Sequence, residues 1–439
     1  MRLLRLIALS AIQFQSTRAF SLSMSASSGT KLKSIVVVGG GIQGVSTAYH
    51  LQKACAASPS FEDEPLKIHI LEAKEPASAA SGKGGGFMAR SWGDGGPTMG
   101  LHHLAFDMYE DLASELGCDS YRKLPVLSVS PGRDNRGIKA AKQSLGSTMP
   151  TWLDGNIGRV GVMGEGDDTA QITPKEFVQK MIEKGGINVV LGECTGVQTE
   201  GDADEKKVVG VTYIDRNTKE ECVLDADAVV ISAGPWSCKA EDWFDKAVEL
   251  PMEGVKSTSI VWKQRGDSET DATALFCGED DRFGTHLEVY PRPDQSIYIC
   301  GIGGSDYISK EELKTGAYRE ECNAKEDRVQ AASDAFKEMS AAYRKMGELD
   351  RVQACMRPCP PDAMPYMGKI PGFEGAYINA GHNCWGIAWA PACGKAMSEL
   401  ILDGSSSSID LRPFNPTRFT TRISERGRKR RGQSVGEQW

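Results

Sequence analysis

The arrangement of apolar residues near the start of the chain predicts a strand, a helix and a second strand. Residues 34–38 form a short β-branched run, which is typical of a strand buried in a parallel sheet. A glycine-rich turn over residues 39–44 follows directly, and residues 45–54 have a helical composition. The apolar run at 67–72 supplies the second strand. We therefore expect a βαβ unit of a parallel sheet here.

Farther along the chain, the pattern indicates two kinds of sheet. Helices are predicted at 101–116, 175–184, 311–346 and 387–402, and strands at 187–191, 208–213, 227–231 and 375–379. Apolar and polar residues alternate at 259–262, 287–290 and 296–300, which indicates an antiparallel sheet. The sequence therefore predicts an α+β fold, in which a Rossmann-type parallel nucleotide domain is interrupted by a mainly antiparallel domain.

The turn after the first strand has the spacing Gly39-x-Gly41-x-x-Gly44, which is typical of dinucleotide binding. The first glycine permits a tight turn, the second lets the backbone approach a pyrophosphate, and the third lets the helix pack on the strand. Glycine clusters often only form turns. Here, however, Glu72 ends the second strand, where a carboxylate can accept hydrogen bonds from a ribose. Together these features predict a dinucleotide cofactor.

Length and charge limit the remaining possibilities. A chain of 439 residues exceeds one ordinary core, so two joined domains are expected. The net charge of −8 argues against nucleic acid as a partner. The twelve cysteines form no Cys-x-x-Cys pair and no zinc-ligand spacing with histidine. We therefore predict no metal site, and a reducing compartment.

Both termini are basic. The first 33 residues carry five basic residues and no acid, and the apolar run 3–12 is too short for a transmembrane anchor. We interpret residues 1–33 as a targeting leader. The Ala19-Phe20 junction resembles the plastid leaders of algae with complex plastids, and mitochondrial or secretory targeting are the alternatives. Residues 417–439 form a basic tail, interpreted as solvated and disordered, with a nuclear signal or a contact to an anionic surface as alternatives.

The small-residue segment 76–88, directly after Glu72, resembles the loop that wraps pyrophosphate and flavin in the D-amino-acid oxidase (DAO) superfamily. This superfamily of flavoproteins includes glycine oxidase and sarcosine oxidase. Blocks at 192–197, 229–237, 381–387 and 410–414 resemble further segments of the family in the same order. The resemblance spans residues 34–419 and implies that the cofactor is FAD, which we expect to be held without a covalent bond.

The resemblance also implies cofactor-binding residues and domain bounds. The cofactor-binding residues are Gly39, Gly41, Ile42, Gln43, Gly44, Glu72, Ala73, Ser81, Gly82, Lys83, Gly85, Gly86, Met88, Val197, Ala233, Gly234, Trp236, Gly381, His382, Asn383, Cys384, Trp385, Gly386 and Ile387. The FAD-binding domain is predicted over 34–120, 155–245 and 350–416, and the substrate domain over 121–154 and 246–349.

The segment 355–362 resembles two family patterns at once. Arg357 matches the arginine that holds the substrate carboxylate in glycine and D-amino-acid oxidases, and a structural salt bridge at the domain junction is the alternative. Cys355 matches the cysteine that bonds to flavin in sarcosine oxidase, but we interpret it as a buried small residue. Tyr290 is the second substrate-binding candidate. The chain departs from the family where Cys384 replaces a second arginine of glycine oxidase, and where 298–303 lack the lysine of sarcosine oxidase.

The resemblance implies an oxidoreductase that removes hydride from the C–H next to the nitrogen of a small amine or amino acid and passes it to flavin N5. Oxygen or another acceptor would reoxidise the flavin. No catalytic residue is assigned, because an amine that arrives neutral needs no general base. A flavin-binding assembly factor with little turnover is the alternative. An NAD-dependent dehydrogenase is disfavoured, because the 381–387 turn has no role there.

Overall fold

The computed structural model describes residues 32–202, 205–265 and 269–420. Most of the predicted leader, and residues 421–439 of the predicted basic tail, lie outside the described residues, whereas Arg418 near the start of that tail is held by hydrogen bonds to Asp362 rather than solvated. The strands are β1 Ser34–Val38, β2 Lys67–Glu72, β3 Phe87–Ala89, β4 Arg122–Lys123, β5 Val126–Pro131, β6 Ile157–Gly164, β7 Thr169–Gln171, β8 Asn188–Asp202, β9 Glu205–Asp215, β10 Glu221–Asp225, β11 Ala228–Ile231, β12 Glu253–Gln264, β13 Ala274–Cys277, β14 Glu288–Pro291, β15 Ser296–Cys300, β16 Asp306–Ile308, β17 Gly347–Cys359, β18 Tyr366–Lys369, β19 Phe373–Glu374 and β20 Ala376–Ala380.

The α-helices are α1 Ile42–Ala56, α2 Ala80–Lys83, α3 Met99–Leu116, α4 Arg136–Leu145, α5 Pro174–Gly185, α6 Ala240–Trp243, α7 Lys310–Lys314, α8 Glu326–Met339, α9 Ala341–Met346 and α10 Gly386–Asp403. All described residues belong to one compact unit. Within the described ranges, none of these helices has both the length and the apolar character needed to span a bilayer.

The first sheet has nine strands, in the order β10-β9-β8-β2-β1-β11-β20-β18, with β19 beside β9. Strands β8, β2, β1, β11 and β20 run parallel to one another. The β1 side chains from Ile35 to Val38 are at most 4% exposed, and they alternate between two cores on opposite faces of the sheet. This double burial explains why a continuous β-branched run marks the central strand.

The second sheet has eight strands, in the order β16-β12-β15-β14-β13-β5-β6, with β17 paired to β12. Its pairs are antiparallel, except that β13 runs parallel to β5. Helices α8 and α9 cover one face, where Phe336 and Tyr343 pack with Trp262 of β12. A small third sheet has the order β3-β7-β4. The predicted α+β fold, with a Rossmann-type nucleotide domain, is confirmed.

Three sequence-based expectations differ from the structure. The single helix predicted over 311–346 is three helices, because Gly316, at φ +83°, lies just beyond the end of α7 and Ser340 caps the start of α9. Strand β17, which carries Arg357, was not predicted. The predicted domain bounds also cut across the second sheet, because β6 and most of β17 were assigned to the FAD-binding domain.

Candidate functional site

A cavity of about 350 Å³ lies between the carboxyl ends of the parallel strands and the second sheet. Its wall contains most of the cofactor residues that the resemblance implied. These are Gly39, Gly41, Ile42, Gln43, Glu72, Ala73, Ser81, Gly85, Gly86, Ala233, Gly234, Trp236 and the whole turn from Gly381 to Ile387. The substrate candidates Arg357 and Tyr290 also line it, as does Cys355. The structure therefore brings the two groups of predicted residues into one cavity.

Five of the predicted cofactor residues are not part of the cavity wall: Gly44, Gly82, Lys83, Met88 and Val197. A Cβ at Gly44 or Gly82 would overlap a backbone carbonyl oxygen, so both glycines serve close packing. Met88 is 1% exposed in the core, and Lys83 donates from Nζ to the Ala354 carbonyl at 2.9 Å. Val197 packs against the core that contains Val36 and Val38, on the other face of the first sheet. Gly192, Glu193 and Cys194, on the same strand, line the cavity instead.

The β1–α1 turn presents backbone to one end of the cavity. Gly39 has φ +112°, and a Cβ there would overlap the Ser232 carbonyl. Gly41 precedes α1, and a Cβ there would meet only Ser81 Oγ, at 3.2 Å. The Ile42 N–H donates to the same Ser81 oxygen at 2.9 Å. The fifteen-residue helix α1 therefore directs its positive end into open space that suits an anionic group such as a pyrophosphate.

Glu72 closes the side of this turn. Its carboxylate accepts the Gly40 N–H at 2.7 Å and the Lys74 N–H at 2.9 Å. Burial raises the pKa of Glu72, while these two bonds and the charges of Arg216 and Arg319 act in the opposite direction. A carboxylate held rigidly at the end of β2 is placed to accept the hydroxyl groups of a ribose.

A cluster of charged residues at the outer end of the cavity was not predicted. Glu193 accepts a hydrogen bond from Arg319 and lies 3.4 Å from Lys239 Nζ. Burial alone would raise the pKa of Glu193, but these two cations hold it below its ordinary value. All three side chains line the cavity. No local spacing in the sequence relates them, because they lie on β8, on a 3₁₀ helix and in the segment after α7.

The turn from Gly381 to Ile387 forms the inner end of the cavity. Gly381 and Asn383 have φ values of +82° and +49°, and the turn leads into the eighteen-residue helix α10. Gln43 of α1 donates from Nε2 to the Gly386 carbonyl at 2.6 Å, which joins the two helices at the cavity. Burial lowers the pKa of His382 to about 3, so this imidazole is neutral. The helix N-terminus, rather than a histidine cation, therefore supplies positive potential here.

The cavity wall beside this turn carries one basic and one acidic side chain. Arg357, on β17, faces three thiols and Glu288, whose interactions raise its pKa although burial acts in the opposite direction. Glu288, on β14, is 8% exposed and accepts hydrogen bonds from the hydroxyl of Tyr290 and from Cys300 Sγ, the latter at 3.4 Å. Sequence reasoning missed Glu288, because nothing in its local pattern marks a residue of an antiparallel strand as functional.

Aromatic rings enclose the same end of the cavity. Trp92 lies 5.0 Å from Phe276, 5.3 Å from Phe87 and 6.3 Å from Trp385, measured between ring centroids. Tyr290 is stacked on Phe87 at 5.4 Å, and its ring packs against Gly85. Tyr290 is thus fixed by its neighbours, and its hydroxyl is committed to Glu288. An apolar group of modest size would be enclosed by this wall.

Cys355 is a free thiol beside Arg357. Burial raises its pKa to about 11, although the positive charges of Arg357 and Lys83 oppose this effect. The thiol is therefore protonated at neutral pH and is not activated as a nucleophile. Among the described residues, no group of three or more histidine, cysteine or acidic side chains is arranged to hold a metal ion.

These features together define an oxidoreductase with a dinucleotide cofactor. The residues present fit FAD: the glycine turn and α1 suit the pyrophosphate, Glu72 suits a ribose, and the cavity continues from there to the N-terminus of α10. The sequence model of the DAO family, described as FAD dependent oxidoreductase, matches residues 34–400. The chain belongs to this family of FAD-dependent oxidoreductases, as its resemblance to the family implied.

Individual relatives agree with this assignment. The chain is 26% identical over 401 residues to a Schizosaccharomyces pombe protein named only as an oxidoreductase, covering 88% of this chain and 98% of that one. It is 27% identical over 415 residues to the glycine oxidase of Pseudomonas putida, with 88% and 98% covered. The solved L-amino acid deaminase of Proteus vulgaris has the same fold, with a TM-score of 0.66, 17% identity and 89% and 98% of the two chains covered.

Proposed function

We propose that the enzyme oxidises a small amino acid at the carbon that carries the nitrogen, and that Arg357 binds the substrate carboxylate. The observation that carries this proposal is the guanidinium on the cavity wall, on the same side as the aromatic rings and near the α10 N-terminus. A guanidinium can bind a carboxylate through two parallel hydrogen bonds, which fixes the orientation of the substrate. FAD, when bound, supplies the acceptor for the two electrons removed from the substrate.

The remaining residues support an amino acid with an apolar side chain. Phe87, Trp92, Phe276 and Trp385 would enclose that side chain and exclude water from the reacting carbon. The α10 N-terminus would stabilise negative charge that develops on the cofactor beside it. Glycine oxidase and L-amino acid deaminase, which this chain resembles, are named for acting on amino acids. Oxygen or another acceptor would then take up the electrons.

The first test is an anaerobic substrate panel. The purified flavoprotein is mixed with amino acids and with amines of matched side chain, and the loss of visible flavin absorbance is followed. We expect apolar amino acids to reduce the flavin and the matched amines to reduce it much more slowly. If no member of the panel bleaches the flavin, the alternative of an assembly factor with little turnover is favoured instead.

The second test is Arg357→Lys. This change keeps the positive charge but removes the planar pair of donors. The fall in kcat/KM for an amino acid should therefore correspond to a loss of about 2–4 kcal/mol of transition-state stabilisation. Substrates without a carboxylate should lose much less. Arg292→Lys is the matched control, because Arg292 lies outside the cavity wall and donates to the Gly84 carbonyl at 3.0 Å. That control should lower the stability of the protein, and any change in kcat/KM should be the same for substrates with and without a carboxylate. An equal loss for both types in Arg357→Lys would show that Arg357 is structural.

A further inference from the structure

Glu288 is an acidic side chain that projects into the inner part of the cavity. It lies on β14, opposite Cys300 of β15 in the strand register, and its side chain lines the cavity. Tyr290 and Cys300 both donate to the same carboxylate oxygen, Oε2. Because the Tyr290 ring is held between Phe87 and Tyr298, its hydroxyl has a fixed position. The Glu288 carboxylate is therefore oriented by an element that cannot easily rotate.

The electrostatic setting of Glu288 suits a cationic ligand. Burial raises the pKa of its carboxyl group, and the hydrogen bonds from Tyr290 and Cys300 and the charges of Arg357 and His286 only partly oppose that effect. A buried carboxylate is costly unless a cation lies beside it. Arg357 is near enough to contribute, but a substrate carboxylate bound to Arg357 would compete for that positive charge. A positive group on the same ligand as that carboxylate would place a new positive charge beside Glu288.

We infer that Glu288 binds the protonated amine of the substrate while Arg357 binds its carboxylate, so that the cavity selects amino acid zwitterions over simple amines and simple carboxylates. Because an ammonium has no lone pair to support hydride loss from the neighbouring carbon, the bound amine passes one proton to the Glu288 carboxylate before it is oxidised. This inference rests on the proposed function, because it assigns the second half of the same ligand. A zwitterion satisfies both charged groups at once. A simple carboxylate brings no positive group to Glu288, and a simple amine brings no carboxylate to Arg357.

The test uses two ligands of matched shape that the enzyme cannot oxidise. In 2-aminoisobutyrate, the carbon next to the nitrogen carries no hydrogen, and 2-hydroxyisobutyrate replaces the amine by a hydroxyl group. Binding of each to the FAD-loaded protein is measured by calorimetry, which needs no turnover. Wild-type protein should prefer the amine ligand. Glu288→Gln should weaken binding of the amine ligand about tenfold or more and leave the hydroxyl ligand within about threefold.

Glu288→Gln is close to isosteric, and its amide oxygen can still accept from Tyr290 and Cys300. Flavin content and the thermal midpoint show whether it folds. Glu288→Asp is the second variant: it keeps the charge on a shorter side chain and should keep a preference for the amine ligand. Equal weakening for both ligands in Glu288→Gln, or no weakening at all, would overturn the role of Glu288.

The wild-type protein separates this inference from the proposed function. If it binds both ligands equally well, Glu288 does not recognise the amine, although Arg357 can still bind the carboxylate. If Arg357→Lys weakens both ligands while Glu288→Gln weakens only the amine ligand, both assignments hold. If wild-type protein binds neither ligand, the proposal that the substrate is an amino acid is wrong, and so is the role of Glu288 in binding its amine.

Discussion

The three glycines of the first turn differ in what a side chain would meet. At Gly39 and Gly44 a Cβ would overlap a backbone carbonyl oxygen, whereas at Gly41 only Ser81 Oγ lies near, at 3.2 Å. The fold therefore requires the first and third glycines. The second faces the cavity, and its side of the turn is left open for the cofactor.

This difference predicts the behaviour of Gly41→Val. The variant should fold, because its side chain meets no backbone, but it should lose FAD, since the valine would occupy the space of the pyrophosphate. Flavin absorbance per chain and the circular dichroism spectrum of the purified variant test this. Gly44→Val is the contrasting control, and it should fail to fold. A folded Gly41→Val protein that retains a full complement of FAD would contradict the assignment of this turn.

The sequence predicted those residues of the site that form local motifs. The glycine turn, Glu72 and the 381–387 turn each lie within one short segment, where spacing and strand ends carry information. Glu288 and Arg319 belong to no such local motif. They reach the cavity only when the second sheet and the segment after α7 fold against the first sheet. Arg357 was found only through the family resemblance.

At the scale of elements, the central parallel strands of the first sheet were predictable and the edge strand β17 was not. The run at 34–38 is apolar because β1 is covered on both faces. In β17, residues 348–352 are all exposed, and Pro358 stands near the end of the strand. An edge strand that pairs only with β12 tolerates this proline and needs no apolar alternation. The sequence of β17 therefore carries almost no strand signal.

Helix α10 is fixed at both ends, and its last turn gives a prediction about pH. Glu399 accepts the Ser407 and Ser408 N–H groups at 2.9 and 3.0 Å and lies 2.6 Å from Lys395 Nζ. Burial alone would raise the pKa of Glu399, but these partners lower it from 4.5 to about 2. The folded state thus favours the charged carboxylate, so its stabilisation is complete above pH 4.5 and is lost as the pH falls toward 2.

Glu399→Gln should therefore destabilise the protein by about 1–3 kcal/mol at neutral pH. The difference from wild type should shrink between pH 4.5 and pH 3.5, since the unfolded wild-type chain, in which this carboxyl has its ordinary pKa of 4.5, then takes up a proton while the folded carboxylate stays charged. Urea unfolding at a series of pH values measures it. Glu200→Gln, at an exposed position on β8, is the matched control and should have little effect throughout. A difference that stays constant down to pH 3.5 would contradict the charge-based explanation.

At the scale of the whole molecule, the cavity lies where the two large sheets meet, and three hydrogen bonds join the segment after Glu72 to the second sheet. Lys83 donates to the Ala354 carbonyl at 2.9 Å, and Gln353 donates back to the Lys83 carbonyl at 2.9 Å. Arg292 of the second sheet reaches the Gly84 carbonyl at 3.0 Å. These contacts all involve the small-residue segment after Glu72. The segment after Glu72, which would wrap FAD, therefore also helps to connect the sheets.

Removal of FAD should accordingly lower the stability of the whole unit. A ligand that binds only the folded state adds about 2.7 kcal/mol when its free concentration is a hundred times its Kd. The thermal midpoint of the FAD-free protein should therefore rise by a few degrees as FAD is added, and the whole molecule should shift as one transition because the cavity joins both sheets. Calorimetry of the FAD-free protein measures this, with NAD as the control ligand and Gly41→Val as the control protein, neither of which should show the shift. If the midpoint does not respond to FAD, or if NAD raises it equally, the cavity does not select the cofactor in the way that its walls indicate.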